Sequence, residues 1–184
     1  MKVNFTHNWP KELKLLVGTF LVVLSIGFFS GLSFVGETSS FSSQGVQENY
    51  LGNEDIEEAE EMKFKKTERH MLSVIHSHIL SMSIIFFLVA LLVYHVDFSI
   101  TFKKFLMIEP LVSVVTTFGG IYFLWKGILW MKYIVIISGM LMTLSGLNAV
   151  EFGTVSSGRK AAASEVVGIE HMIGMFVNVV PVIA

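Results

Sequence analysis

Four apolar stretches, separated by short polar segments, set the pattern of the first 147 residues. The longest, residues 71–96, contains no acidic residue, lysine or arginine. About 20 apolar residues are enough for a helix to cross the roughly 30 Å hydrocarbon core of a bilayer. Because backbone groups in lipid must be hydrogen-bonded within the segment, each run predicts a helix rather than a strand. We therefore predict an all-α membrane protein with four transmembrane helices in an up-down arrangement, with spans at 15–35, 71–96, 106–125 and 128–147.

The polar segments between the spans predict connectors. Residues 36–70 form the one substantial polar stretch, and strong helix formers predict a short solvated helix at 55–62. Its carboxylates lack the fixed spacing and turn glycine of a calcium loop. Pro110, which follows Glu109, is placed by the prediction in the first turn of the third span, where proline is tolerated.

Basic residues near the ends of the spans give an orientation. Lysines cluster in the N-terminal segment and between the second and third spans, which favours the cytoplasm for both. The segment 36–70 is then extracytoplasmic, although four basic residues before the second span oppose this assignment. The two groups are Lys2, Lys11, Lys14, Lys103 and Lys104 against Lys63, Lys65, Lys66 and Arg69.

Composition supports a membrane protein and removes several function classes. The chain is 53% hydrophobic and 15% charged, whereas soluble domains carry about 25% charged residues. A net charge of −2 excludes nucleic-acid binding driven by bulk charge. The absence of cysteine excludes disulfides, thiolate catalysis and cysteine-ligated metal sites. The first apolar stretch is not followed by a small-residue cleavage pattern, which predicts an uncleaved first helix.

His76 and His78 are the candidate cofactor-binding residues, because ionisable groups within a membrane helix are functional candidates. Residues two apart on a helix differ by about 200°, so the two side chains cannot face one ligand. Spans one, three and four contain no histidine, and a bis-histidine haem would therefore need a second copy of the chain. Two interpretations stay open: interfacial or packing histidines, and a cofactor or proton-relay role together with Glu109. No metal site and no bound cofactor is predicted beyond this.

Several motifs give residues 1–147 a resemblance to a group of four-helix inner-membrane proteins from Bacteroidota-type bacteria. The motifs are GVQENYLGN at 45–53, EMKFKKTERHML at 61–72, IHSHILSMS at 75–83 and IEPLVSVVTTFGGIYFLW at 108–125. The resemblance implies a four-helix membrane fold and no particular activity.

Residues 150–182 resemble an internal piece of a nonribosomal peptide synthetase condensation domain. The matching patterns are FG-x-x-x-SGR at 152–159 and GIE-x-MIG-x-FVN at 168–178, followed by Pro181. The HH-x-x-x-DG motif that carries acyl transfer in that family is absent, which excludes condensation activity. From the residues themselves, apolar positions at helical spacing predict an amphipathic helix at 164–178 and a short strand-like end at 179–184.

We thus predict two parts: a four-helix membrane domain, 1–147, and a condensation-domain-like fragment, 148–184, acquired by fusion or as a chimeric tail. An ordinary amphipathic tail lying on the membrane is the alternative. The predicted function is that of a non-enzymatic structural or accessory protein of a bacterial inner membrane. Its partners would be the lipid bilayer and other inner-membrane subunits or further copies of the chain. The alternatives are a haem- or metal-binding redox or ion-handling protein using His76 and His78, and a role in nonribosomal peptide synthesis through the tail.

Overall fold

A computed structural model of the chain describes residues 9–54, 61–95 and 99–156, with side chains through residue 148. Within this part the chain is helical and contains no strand. The helices are α1 (Lys11–Ser39), α2 (Ser43–Leu51), α3 (Glu68–Tyr94), α4 (Ile100–Trp125) and α5 (Met131–Ser156). The four long ones are each long and apolar enough to cross a membrane. The predicted all-α membrane protein with four transmembrane helices is therefore confirmed.

The ends of two spans were predicted wrongly. α4 begins at Ile100 rather than at 106, so Pro110 lies inside the helix and not in its first turn. Since proline has no N–H, the Leu106 carbonyl lacks its usual helical partner. The basic residues did not end the helix because a lysine stem can run along apolar surface while its ammonium stays polar; Lys103 Nζ donates to the Tyr94 carbonyl at 3.0 Å. α5 begins at Met131 and continues to Ser156, beyond the predicted end at 147.

α4 is the central helix of the bundle and α1 the peripheral one. Of the most apolar 18-residue stretch in each span, 44% of α4 is buried but only 6% of α1. One apolar cluster joins Met71 of α3 to Trp125 of α4 and Val135 of α5. A second, at the opposite end of the bundle, joins α3 and α4 and receives Phe20 and Leu24 of α1. The spans thus run in alternating directions, with α4 packed between α3 and α5.

α4 and α5 approach closely through small residues. Thr117 Oγ1 and Ser138 Oγ share a hydrogen bond of 2.7 Å across the interface. A Cβ added at Gly120 would stand 2.9 Å from Val135 Cγ2, so the glycine is what allows this approach. Small residues that let backbones come together are the usual means of helix association in membranes, where lipid removes the hydrophobic driving force.

Residues 40–54 and 61–67 form a cap over one end of the bundle, and the prediction missed its helix α2. Ser42 begins α2 by accepting a hydrogen bond from the Gly45 N–H at 2.9 Å. Gly52 ends it at φ 85°, where a Cβ would meet the Lys63 carbonyl oxygen at 2.8 Å. The short solvated helix predicted at 55–62 does not reach its predicted end, because Glu61 and Met62 are not helical. Residues 55–60 lie outside the described residues.

Hydrogen bonds from both segments of the cap bind it to the end of α4 and to the beginning of α5. Trp125 Nε1 donates to the Lys66 carbonyl at 2.7 Å. Lys132 Nζ donates to Gln47 Oε1 at 3.0 Å. Within the cap, the Asn53 side chain accepts from the Lys63 N–H at 2.6 Å and donates to the Glu61 carbonyl at 2.9 Å. Residues 40–54 and 61–67 thus form an ordered layer across one end of the bundle rather than only a hydrated connector.

Most of the predictions for the C-terminal part concern residues outside the described part of the chain. The amphipathic helix predicted at 164–178 and the strand-like end at 179–184 lie outside the described residues. The boundary predicted at 147–148 falls within α5, which is helical on both sides of it.

Candidate functional site

His76 and His78 lie in α3 on the outer surface of the bundle. His78 Nδ1 is 2.8 Å from the Val74 carbonyl oxygen. A carbonyl can only accept, so this contact puts the proton of a neutral ring on Nδ1 and leaves Nε2 as the nitrogen available to a ligand. The His78 ring also lies against Phe118 of α4, with centroids 4.9 Å apart. His76 is exposed on a different side of the helix.

The structure does not bring the two histidines together with further ligands. Among the described residues, no group of three or more histidines, aspartates or glutamates is placed to hold a metal ion. Because α3 begins at Glu68, both histidines lie in its third turn. No hydrogen bond in the described part of the chain joins either histidine to Glu109. A cofactor role for them therefore stays a prediction that needs a second copy or another partner.

Glu109 is an acidic residue inside a span, on the face of α4 that meets α5. The Ser113 hydroxyl, one turn further on, donates to Glu109 Oε1. Glu109 Oε2 is buried and has no hydrogen-bond partner within the described residues. A buried acceptor without a donor costs about 1–3 kcal/mol, and more when it is charged. Glu109 is thus a group whose hydrogen bonding the described chain does not complete.

An open groove between α4 and α5 is lined by Glu109. It has a volume of about 580 Å³, within the range of small-molecule sites, about 300–1,000 Å³. Lys104 lines one end, and the surface of the walls is mostly apolar, formed by Phe105, Ile108, Val112, Ile134, Ile137 and Leu141. Several of these, including Ile108 and Ile137, face outward from the bundle with more than half of their surface exposed. The groove therefore opens sideways, toward the lipid.

The sequence pattern contained a signal for this groove that the prediction did not use. Glu109, Ser113 and Thr117 follow one another at intervals of four, which places them on one face of a helix. Ser138 meets that face from α5. Only the packing of the two helices shows that these polar residues lie along one interface, and that Lys104 shares the groove.

The motif GVQENYLGN lies in the cap, where its residues hold structure. A Cβ at Gly45 would overlap the Ser39 carbonyl oxygen, since the two would be 1.9 Å apart. Tyr50 packs against the cluster that contains Trp125, and burial raises the pKa of its phenol. Gly52 and Asn53 hold the return of the chain toward α3. Packing and hydrogen bonds within the cap thus account for these residues of the motif.

α1 leaves one side open. Gly27 and Gly31 lie one turn apart, and a Cβ added at either would have no heavy atom within 4 Å. Val23 and Val35 continue the same row at intervals of four residues, and both are exposed. We call this row of Val23, Gly27, Gly31 and Val35 the α1 face. No other described helix covers it.

One comparison with known proteins gives a match. A family model described as a transmembrane helical domain matches residues 40–162, well over half of the chain. The match begins at the cap and includes α3, α4 and α5. No curated protein and no solved structure matches the chain.

Proposed function

We propose, on the premise that the chain belongs to the Aq_1264_TM family of transmembrane helical domains, that it is a non-enzymatic structural or accessory component of a membrane assembly. It is a multi-pass membrane protein. The resemblance of its motifs to inner-membrane proteins of Bacteroidota-type bacteria supports a bacterial inner membrane as its location. We predict no enzymatic activity of its own.

The observation that carries this proposal is the α1 face. α1 is held to the bundle by Phe20 and Leu24 near its middle and by the cap at its C-terminal end. Between them, Gly27 and Gly31 present a smooth surface on which a neighbouring backbone can approach closely. Only 6% of the most apolar 18-residue stretch of α1 is buried. The helix therefore contributes little to its own bundle, and the α1 face suits a helix of another subunit or copy.

The test is the size of the assembly extracted in mild detergent, measured by native electrophoresis and light scattering. Gly27→Ile and Gly31→Ile together put two branched side chains on the α1 face. We expect this double variant to run as a 20.6 kDa chain in its micelle, whereas the wild type runs larger. Ser33→Ile, on another side of α1, is the control and should keep the larger size. A wild type that is already a single chain, or a double variant of unchanged size, would refute the proposal.

A second candidate function is ligand or haem binding at the histidines, favoured by one observation. His78 has its Nδ1 engaged with the Val74 carbonyl, which leaves Nε2 for a ligand. The purified protein would be examined by its visible absorption spectrum and metal content. Loss of a Soret band or of a stoichiometric metal on His76→Gln with His78→Gln would support this function. A colourless, metal-free wild type would exclude it.

The role in nonribosomal peptide synthesis rests only on the resemblance of residues 150–182. If the tail is a fusion, we propose that the junction lies beyond residue 162, so that only the second matching pattern, at 168–178, belongs to the fused part. Support for this position comes from α5, which continues to Ser156, and from the family match, which ends at 162. Sequencing the gene across codons 150–184 from an independent isolate tests it, because a tail absent there would mark the resemblance as a chimera.

A further inference from the structure

We infer that the groove between α4 and α5 binds an anionic amphiphile whose head group carries an N–H donor next to its hydrocarbon chain, as in an N-acyl amino acid. Glu109 would accept the donor, Lys104 would pair with the anion, and the apolar walls would hold the chain. This inference is independent of the α1 face, because the two surfaces lie on different helices.

The unpaired oxygen of Glu109 is the reason to expect a hydrogen-bond donor on the ligand. Its Oε1 is engaged by the Ser113 hydroxyl, while Oε2 is buried without a hydrogen-bond partner in the part of the chain that the structure describes. The last torsion of a glutamate side chain is broad and roughly two-fold. A full two-fold turn only exchanges the two equivalent oxygens, but because the torsion is broad, a smaller rotation can carry Oε2 toward the groove that the Glu109 side chain lines. A ligand that brings an N–H completes the hydrogen bonding that the protein leaves open.

Lys104 supplies the reason for an anion, and its position sets the order of the groups. It lies five residues before Glu109 and lines the same groove, about 7.5 Å nearer the beginning of α4. The beginning of α4 is the end of the span, so Lys104 is nearer to water than Glu109. A bound molecule would thus have its anion outermost, its donor next and its chain deepest.

The walls supply the reason for a chain. Beyond Glu109 the groove runs along Val112 and Thr116 of α4 and faces Leu141 of α5. From Glu109 to Thr116 the wall rises about 10.5 Å, which gives a hydrocarbon chain a surface to lie along within one leaflet. Thr116 gives its hydroxyl to the Val112 carbonyl at 2.9 Å and so offers no free donor. A hydrated metal ion would lose its water against such walls, whereas a lipid-soluble molecule enters from the side.

Two ligands that differ in one group test the inference. N-myristoylglycine carries the amide N–H, and the corresponding ester, myristoylglycolic acid, carries an oxygen in its place. Equilibrium binding of each radiolabelled compound would be measured on the full chain in nanodiscs, with empty nanodiscs as the baseline. We expect saturable binding of the amide, tighter than that of the ester by about tenfold or more, the range for a hydrogen bond to a charged acceptor.

Three variants test which residues cause the preference for the amide over the ester. Glu109→Met should bring the amide down to the affinity of the ester. Lys104→Gln should weaken both compounds by the same factor and keep the preference. Ile137→Trp, which fills the groove and leaves Glu109 intact, should abolish saturable binding of both compounds. This variant tests the groove as the binding site even where Glu109→Met does not fold. Equal binding of amide and ester by the wild type, no saturable binding, or a preference that survives Glu109→Met would overturn the inference.

Discussion

Adjacent glycines of α4 allow the close approach of α4 and α5 to be tested by the same small change at two positions. A Cβ at Gly120 would stand 2.9 Å from Val135 Cγ2, whereas one at Gly119 would have nothing within 4 Å. Carbon atoms pack at about 3.5–4.0 Å, so Gly120→Ala requires a movement of about 0.6–1 Å. Valine is stiff at χ1 in a helix, and α5 must therefore shift. Overpacking of this kind costs about 1–3 kcal/mol.

Both alanine variants gain the same helix propensity, about 1 kcal/mol over glycine, so their difference isolates the steric effect. We expect Gly120→Ala to be less stable than Gly119→Ala by about 1–3 kcal/mol. The measurement is the free energy of unfolding by SDS titration in mixed micelles, followed by tryptophan fluorescence. Val135→Ala removes buried methyl groups and should destabilise Gly119→Ala, whereas in Gly120→Ala it also relieves the close contact and should cost clearly less. Equal stabilities of the two single variants would refute the packing described for this interface.

Four further outcomes are expected. Gly52→Ala, which forces a side chain into a glycine-only conformation against backbone atoms, should cost about 1–3 kcal/mol, seen as faster proteolysis of the cap. Because burial raises the pKa of Tyr50 above 10.0, the contribution of Tyr50 to stability should be fully present below pH 10 and should be lost as the pH rises further, since the unfolded chain ionises first; Tyr50→Phe should remove this part of the fall in a pH series of unfolding. In this cysteine-free chain, single cysteines at Ser43 and Phe102 should react with an impermeant reagent from opposite sides of the membrane, and labelling from one side would contradict the topology. Truncation after residue 162 should leave the unfolding midpoint of the membrane part within about 2 °C, since a loss of about 1 kcal/mol shifts a domain of this size by 2–4 °C.

The transmembrane helices were predictable because length and apolar character alone decide them. Their ends were not, because lysines with long stems and an internal proline are compatible with a continuing helix. Lys103 and Pro110 both suggested that the third span begins late, yet α4 includes both. The packing of α4 between its neighbours outweighs the hydrogen bond lost at the proline. Single residues therefore gave misleading boundaries where tertiary packing was available to compensate.

The cap and the groove were harder to predict for different reasons. α2 has no apolar run, and its signals were local: Ser42 at its start and Gly52 just after its end. These could have been found by looking for helix caps in the polar segment. The groove, in contrast, exists only because α5 lies beside Glu109 and Lys104. Glu109 could be noted as an acidic residue within a span, but its unpartnered oxygen could not be foreseen without the neighbouring helix.

The bonds of the cap also impose an order on biogenesis. Gln47 is bound by Lys132, 85 residues later in the chain. At roughly 5–20 residues per second of synthesis, that lysine is made about 4 to 17 s after Gln47. During this interval α3 and α4 enter the membrane, and α2 can pack against α1 and α4 but not yet against α5. Closure of the cap thus requires the beginning of the last span, and a protease that recognises the open segment would remove chains whose synthesis stopped before it.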